Sequence, residues 1–199
     1  MQTAPCVFVE LYRIVTMSNT RNNMNDSEQD QIAFNELRNA AYHEAGHKVL
    51  YERFGGAGDA VVWKNPSGNP EEAAWLGQFR PRTCPETMHA IAKAQGFIAA
   101  ELPANWKVLY GMAGLLAETI VSGETDDAGV MADMLFSRVW TGEVSSSDLA
   151  LMNATDLDCS SLSYDVVEEC VRMLRVGWSD VQREAEYLIA ASLEDLNVK

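Results

Sequence analysis

The sequence predicts a mainly helical domain with one small β-hairpin element. Three observations point that way. Proline-poor runs rich in helix formers cover most of the chain beyond residue 31, strand-forming residues concentrate in two short runs, and those runs are split by the turn-forming "NPSGNP".

Residues 17–31, "MSNTRNNMNDSEQDQ", are almost wholly polar and carry no apolar period. Residues 1–31 are therefore expected to form a flexible lead-in, with order beginning near Ile32 and the domain running over 32–199; Met17 is an alternative translation start to Met1. A first helix is expected from Asn35 to Phe54, stopped by Gly55-Gly56. The runs "AVVWK" and "AWLGQF" follow as the hairpin, then helices over Glu86–Leu102 and Trp106–Ser122, and a shorter one around Val130–Trp140. A serine run caps the next, Ser147–Thr155. Val166, Val167, Cys170, Val171 and Leu174 make one apolar stripe. After Gly177 a last helix opens with Ser179 and Gln182 in capping-box positions and continues through Val181, Ala185, Leu188, Ile189 and Leu193. The five tryptophans, Trp63, Trp75, Trp106, Trp140 and Trp178, are spread through these elements and are expected to pack in the core.

A chain of 199 residues with 47% hydrophobic residues suits one domain with a sizeable core. Twenty-nine acids against fifteen Lys and Arg give a net charge of -14 with no basic run, which excludes a phosphate-tracking surface, so nucleic acid is not an expected partner. Cys6, Cys84, Cys159 and Cys170 have neither a C-x-x-C pair nor zinc-ribbon spacing and read as reduced cytosolic thiols. The apolar stretch "CVFVELYRIVTM" is broken by Glu10 and Arg13 and is too short to span a bilayer. A soluble, cytoplasmic protein with no membrane partner is expected.

Two of the three histidines fall in "AAYHEAGHKVL", inside the first helix. Helix positions four apart are separated by about 40° around the axis and roughly 6 Å along it, so His43 and His47 share a face. Two imidazoles so placed can hold one zinc ion, with Glu44 beside the metal and free to take a proton from a zinc-bound water. Gly46 gives up about 1 kcal/mol of helix propensity relative to Ala; close packing beside a metal site explains this, and so does a plain helix–helix contact. The third ligand is open at this point. Leu50 and Arg53 stand where an astacin-like extension needs Gly and His, and Glu71 and Glu72 lie in the turn-rich connector. Glu118 and Asp148 remain. As a structural residue, Asp148 is an acid favoured by a helix N-terminus. Cys84 and His89 lack metal-site spacing.

"AAYHEAGHKVL", then "YGMAGLLAETIVSG", then "GEVSSSDLALM" resemble, in order, the peptidase domain of FtsH-type ATP-dependent zinc metallopeptidases. That domain has a histidine motif within A-Y-H-E-A-G-H, a G-x-x-A-E segment and a small-residue run ending in Asp-Leu, and the C-terminal "YDVVEECVRMLRVGWSDVQREAEYLI" is similar to its closing helices. The resemblance covers roughly residues 33 to 196. It implies a helical zinc-peptidase-like domain in which His43, His47 and Asp148 bind Zn2+, Glu44 is the catalytic carboxylate and Glu118 packs behind the ligands. It also implies a homo-oligomer. The chain departs from the family in having no G-x-x-x-x-G-K-[ST] phosphate loop, no membrane anchor, a longer connection between Glu118 and Asp148, and Lys48 after the second histidine. The expected function is a zinc-dependent metalloendopeptidase acting on flexible or unfolded polypeptide without its own ATPase, with a separate ATPase as a candidate partner. The alternatives are a non-catalytic, zinc-stabilised interaction module derived from a peptidase fold, and a domain whose histidines are incidental.

Overall fold

A computed structural model describes residues 26–67, 69, 72–97, 101–154 and 162–197. Their element order is α1 (Asp26–Arg53), β1 (Ala57–Lys64), β2 (Trp75–Thr83), α2 (Pro85–Ala94), α3 (Trp106–Ser122), α4 (Ala128–Thr141), α5 (Ser146–Leu151), α6 (Tyr164–Val176) and α7 (Trp178–Asn197). The fold is mainly helical with a small antiparallel hairpin. Cys6, Cys159, Glu71, Thr155 and residues 1–25 of the expected lead-in lie outside the described residues.

The core is the face shared by α1 and α3. Leu37, Ala41, Ala45, Leu50 and Tyr51 of α1 meet Leu109, Met112, Ala113, Leu116 and Ala117 of α3, and the stripe Val167, Cys170, Val171 and Leu174 of α6 closes over them. α7 lies along α1 through Val181, Ala185 and Leu188, and the Ser192 hydroxyl reaches the Val62 carbonyl of β1 at 2.8 Å. In the hairpin Val62 pairs with Gly77 and Trp63 with Leu76. Tyr51, Phe79 and Tyr110 form an aromatic triangle with centroids 5.1 to 5.9 Å apart, which pins β2 to α1 and to the start of α3.

Several elements differ from expectation. α1 runs from Asp26 and not from Asn35, because residues 28–31 form exposed early turns that have no core to reach and need no apolar stripe. α2 ends at Ala94 and not at Leu102: Gly96 takes φ 78°, and the Phe97 N–H turns back to the Ala92 carbonyl at 2.9 Å. α5 is one turn shorter than expected at its C-terminus, and Asn153 follows it with φ 51°. At α7 the Gly177 carbonyl accepts from Asp180 and Val181, so Ser179 lies within the first turn and is not the cap. Trp75 and Trp106 are core residues, but Trp140 is 68% exposed.

Candidate metal centre

Three helices converge on one buried point. α1 brings His43, Glu44 and His47; α5 brings Asp148; and α3 faces them with Tyr110, Gly114 and Glu118, a stripe at four-residue spacing. The helices approach closely because side chains are missing where they would collide. A β-carbon on Gly46 would stand 2.6 Å from the Ala113 carbonyl oxygen, and one on Gly111 would stand 2.8 Å from Cβ of Leu151. Ser145 caps α5 by accepting from the Asp148 N–H at 3.0 Å, which sets the carboxylate at the helix N-terminus.

His43 Nε2 and His47 Nε2 are 2.9 Å apart. Asp148 sets Oδ1 3.3 Å from His47 Nε2 and Oδ2 3.5 Å from His43 Nε2. One ligand atom from each of the three residues lies within 4.8 Å of the others. His43, His47 and Asp148 are each 1% exposed, and Glu44 is 2% exposed.

The far side of each imidazole fixes what the near side offers. The Tyr110 backbone carbonyl, 2.9 Å from His47 Nδ1, can only accept, so Nδ1 carries the proton and a neutral ring presents a lone pair at Nε2. Glu118 Oε1 plays the same part for His43 Nδ1 at 2.7 Å. Burial opposes the charge on Glu118, yet the Arg138 guanidinium and then His43 hold it below its usual range. Asp148 Oδ2 is buried without a hydrogen bond. Two imidazole lone pairs and a carboxylate thus face one another in a buried site, an arrangement that calls for a cation. A proton can serve: although burial disfavours the charged ring, Asp148 and Glu118 raise the His43 pKa from 6.5 to about 10. Burial likewise opposes an ionised Asp148, and His47 and His43 hold its pKa well below the ordinary carboxylate range.

A metal ion fits the same place. A β-carbon at residue 114 would lie 2.6 Å from Nε2 of both histidines, so the glycine leaves free the space in front of the two nitrogens. That cradle, the unbonded Asp148 Oδ2 and the N, N, O donor set together make a buried cluster able to bind a metal ion.

Glu44 is not one of the three clustered residues. It packs on β2 so tightly that a β-carbon on Gly77 would stand 2.5 Å from its Oε1. Glu118 sits behind His43, with Oε1 on the ring and Oε2 accepting from Arg138 Nη1 at 2.8 Å; this places it at Nδ1, away from the Nε2 atoms that face Asp148. Glu72 bonds to Asn65 and Asn69 in the hairpin loop. His89 Nε2 lies 3.1 Å from the Phe54 carbonyl and Cys84 pairs with Glu86, a structural use for both. Reading the sequence overlooks the Tyr110 carbonyl, Gly114, Gly77 and Arg138. For Gly114 the four-residue spacing to Glu118 is a usable signal; the Tyr110 carbonyl, Arg138 and Gly77 have none. Neither the models of known protein families nor the curated proteins match this chain.

Proposed function

We propose that the chain is a zinc-dependent endopeptidase-like domain that hydrolyses peptide bonds in flexible or unfolded polypeptide. The observation that carries this reading is the division of labour in one motif: His43 and His47 face Asp148, while Glu44, one residue on, lies against β2. The donor set of two imidazoles and one carboxylate suits zinc, and the ordered resemblance to the peptidase domain of FtsH-type enzymes supports the same assignment. Zinc held there would polarise a peptide carbonyl and lower the pKa of the attacking water to about 7.

The chain's own residues supply the rest. A Glu44 carboxylate oxygen takes a proton from water as the oxygen adds to the carbonyl carbon, then returns it to the amine nitrogen as the C–N bond breaks. Among the described residues β2 pairs with β1 alone, and an extended peptide would lie along its second edge beside Glu44. With a metal bound, Tyr110 and Glu118 would hold the two rings in the tautomer that leaves both Nε2 atoms unprotonated. No described helix is long and apolar enough to cross a membrane, and Cys84 and Cys170 are free thiols, which supports a cytoplasmic setting.

A second reading, a non-catalytic zinc-stabilised interaction module, is favoured by one observation: Glu44 is only 2% exposed. Zinc-loaded wild type and Glu44→Gln, assayed side by side on a fluorescent unfolded substrate, separate the two. The peptidase reading expects Glu44→Gln to retain zinc and lose on the order of 10² to 10⁴ in rate, the scale of a general base. Equal rates, or no cleavage by either zinc-loaded protein, favour the module.

A further inference from the structure

The connection between α3 and α5 is built around one further helix, α4. That helix is fixed at both ends. Asp127 caps its N-terminus by accepting from the Gly129 and Val130 N–H groups at 2.8 and 3.1 Å. At the other end the Glu143 N–H returns to the Arg138 carbonyl at 2.9 Å across Gly142, which has φ 73°. Met131, Ala132, Leu135 and Val139 anchor the helix in the core. The backbone of Arg138 is therefore held in place, and its guanidinium, 22% exposed, reaches inward to Glu118.

The two oxygens of Glu118 have different partners. Oε2 accepts from Arg138 Nη1 at 2.8 Å, and Oε1 meets His43 Nδ1 at 2.7 Å. A carboxylate held by one partner alone can swing about its terminal torsion, which is broad in energy. Held at both oxygens, it cannot turn Oε1 away from the ring. We propose that Arg138 is a positioning residue for the metal centre: by gripping Glu118 Oε2 from α4, it aims Oε1 at His43 and so fixes the ring whose Nε2 faces the metal. This rests on the zinc-site reading above and adds a residue from α4, the helix between α3 and α5.

The test is zinc affinity by chelator competition, with the visible spectrum of the Co2+-substituted protein as a second readout, on wild type, Arg138→Ala, Arg138→Lys, Glu118→Gln and the double variant Arg138→Ala/Glu118→Gln. Circular dichroism identifies any variant that does not fold. Arg138→Ala is expected to weaken zinc about tenfold, the low end of the range for partners behind a ligand, and to shift the Co2+ bands. Arg138→Lys should recover most of the loss. Because Arg138 acts through Glu118, the double variant should bind no more weakly than Glu118→Gln alone. Three results overturn the inference: wild-type affinity in Arg138→Ala, losses that add in the double variant, or an unfolded Arg138→Ala beside a folded Arg138→Lys with unchanged Co2+ spectrum and weakened zinc binding. A wild type that binds neither zinc nor Co2+ overturns the metal-centre reading itself, and this inference with it.

Discussion

Gly114 and His47 approach so closely that a β-carbon on residue 114 would stand 2.6 Å from His47 Nε2. In an ordinary helix interior Gly→Ala is favourable by about 1 kcal/mol. Here the added methyl enters the space the two imidazoles face. Gly114→Ala is expected to retain helix content by circular dichroism and to lose zinc affinity by at least about tenfold, the scale of disturbing a ligand's orientation. Unchanged zinc binding would mean that the cradle has no role.

The ligands should rank by position. His47→Ala is expected to lose most of about one zinc per chain, since two remaining ligands make a poor site. Asp148→Asn should weaken binding markedly, whereas Glu118→Gln, which changes only the partner behind His43, should cost about 10 to 100-fold. Elemental analysis and chelator titration check the order. Full zinc content in His43→Ala/His47→Ala, or Glu118→Gln the more damaging of the two carboxylate changes, would contradict the assignment.

The pH dependence follows from the metal-free cluster. His43 has a pKa raised from 6.5 to about 10, so the stability it contributes is complete below about pH 6.5 and is lost as pH rises toward 10. Asp148 has a lowered pKa, so its contribution is present above its ordinary value of 3.8 and is lost as pH falls below it. Zinc bound at the proposed site would replace the proton on His43 and would bind better as pH rises. The melting-temperature gap between zinc-loaded and chelator-stripped protein should therefore widen from pH 6.5 to 9. A constant or narrowing gap would rule out competition between proton and metal at this cluster.

Glu44 and Gly77 give a change that should spare the metal. Gly77→Ala sets a methyl against the Glu44 carboxylate, and a misplacement of about 1 Å at a reacting group can cost about 10²-fold in rate. Turnover of an unfolded substrate is expected to fall while zinc content stays at the wild-type level. Equal turnover would show that β2 does not position Glu44.

Substrate folding should matter more than nucleotide. Opening a folded protein locally costs free energy up to its global stability of about 5 to 15 kcal/mol. These 199 residues contain no phosphate loop, and under the proposed function the substrate's own fluctuations would supply the opening for the purified chain. Casein is expected to be cut slowly and at the same rate with or without ATP, and a tightly folded protein to be spared. ATP-stimulated cleavage by the purified chain would contradict this.

What the sequence could reveal divides along chemical lines. His43 and His47 are legible because helical spacing is local, and α3 is legible to the residue because Gly123 stops it. Trp140 misleads because residue type alone does not say which side of α4 faces the core; Leu135 and Val139 take that side. The partners behind the rings are harder still. The Tyr110 carbonyl belongs to the backbone and has no residue signature, while Gly77 and Glu44, like Arg138 and Glu118, meet only through packing of distant elements. Asp148 was readable as a candidate from its serine run, but only convergence of α1, α3 and α5 sets it against both histidines.

The three candidate ligands are unevenly spread along the chain: two sit one turn apart on α1, and the third follows roughly a hundred residues later. A metal ion held by all three is therefore a crosslink, comparable in reach to a disulfide closing a loop of that length, for which chain-entropy arguments give about 4.7 kcal/mol. Unfolding the loaded protein must either eject the ion or keep α1 tied to α5 while everything between them comes apart. The metal then acts as a clasp on the topology of the whole domain, and its release and the loss of the fold should occur as one event.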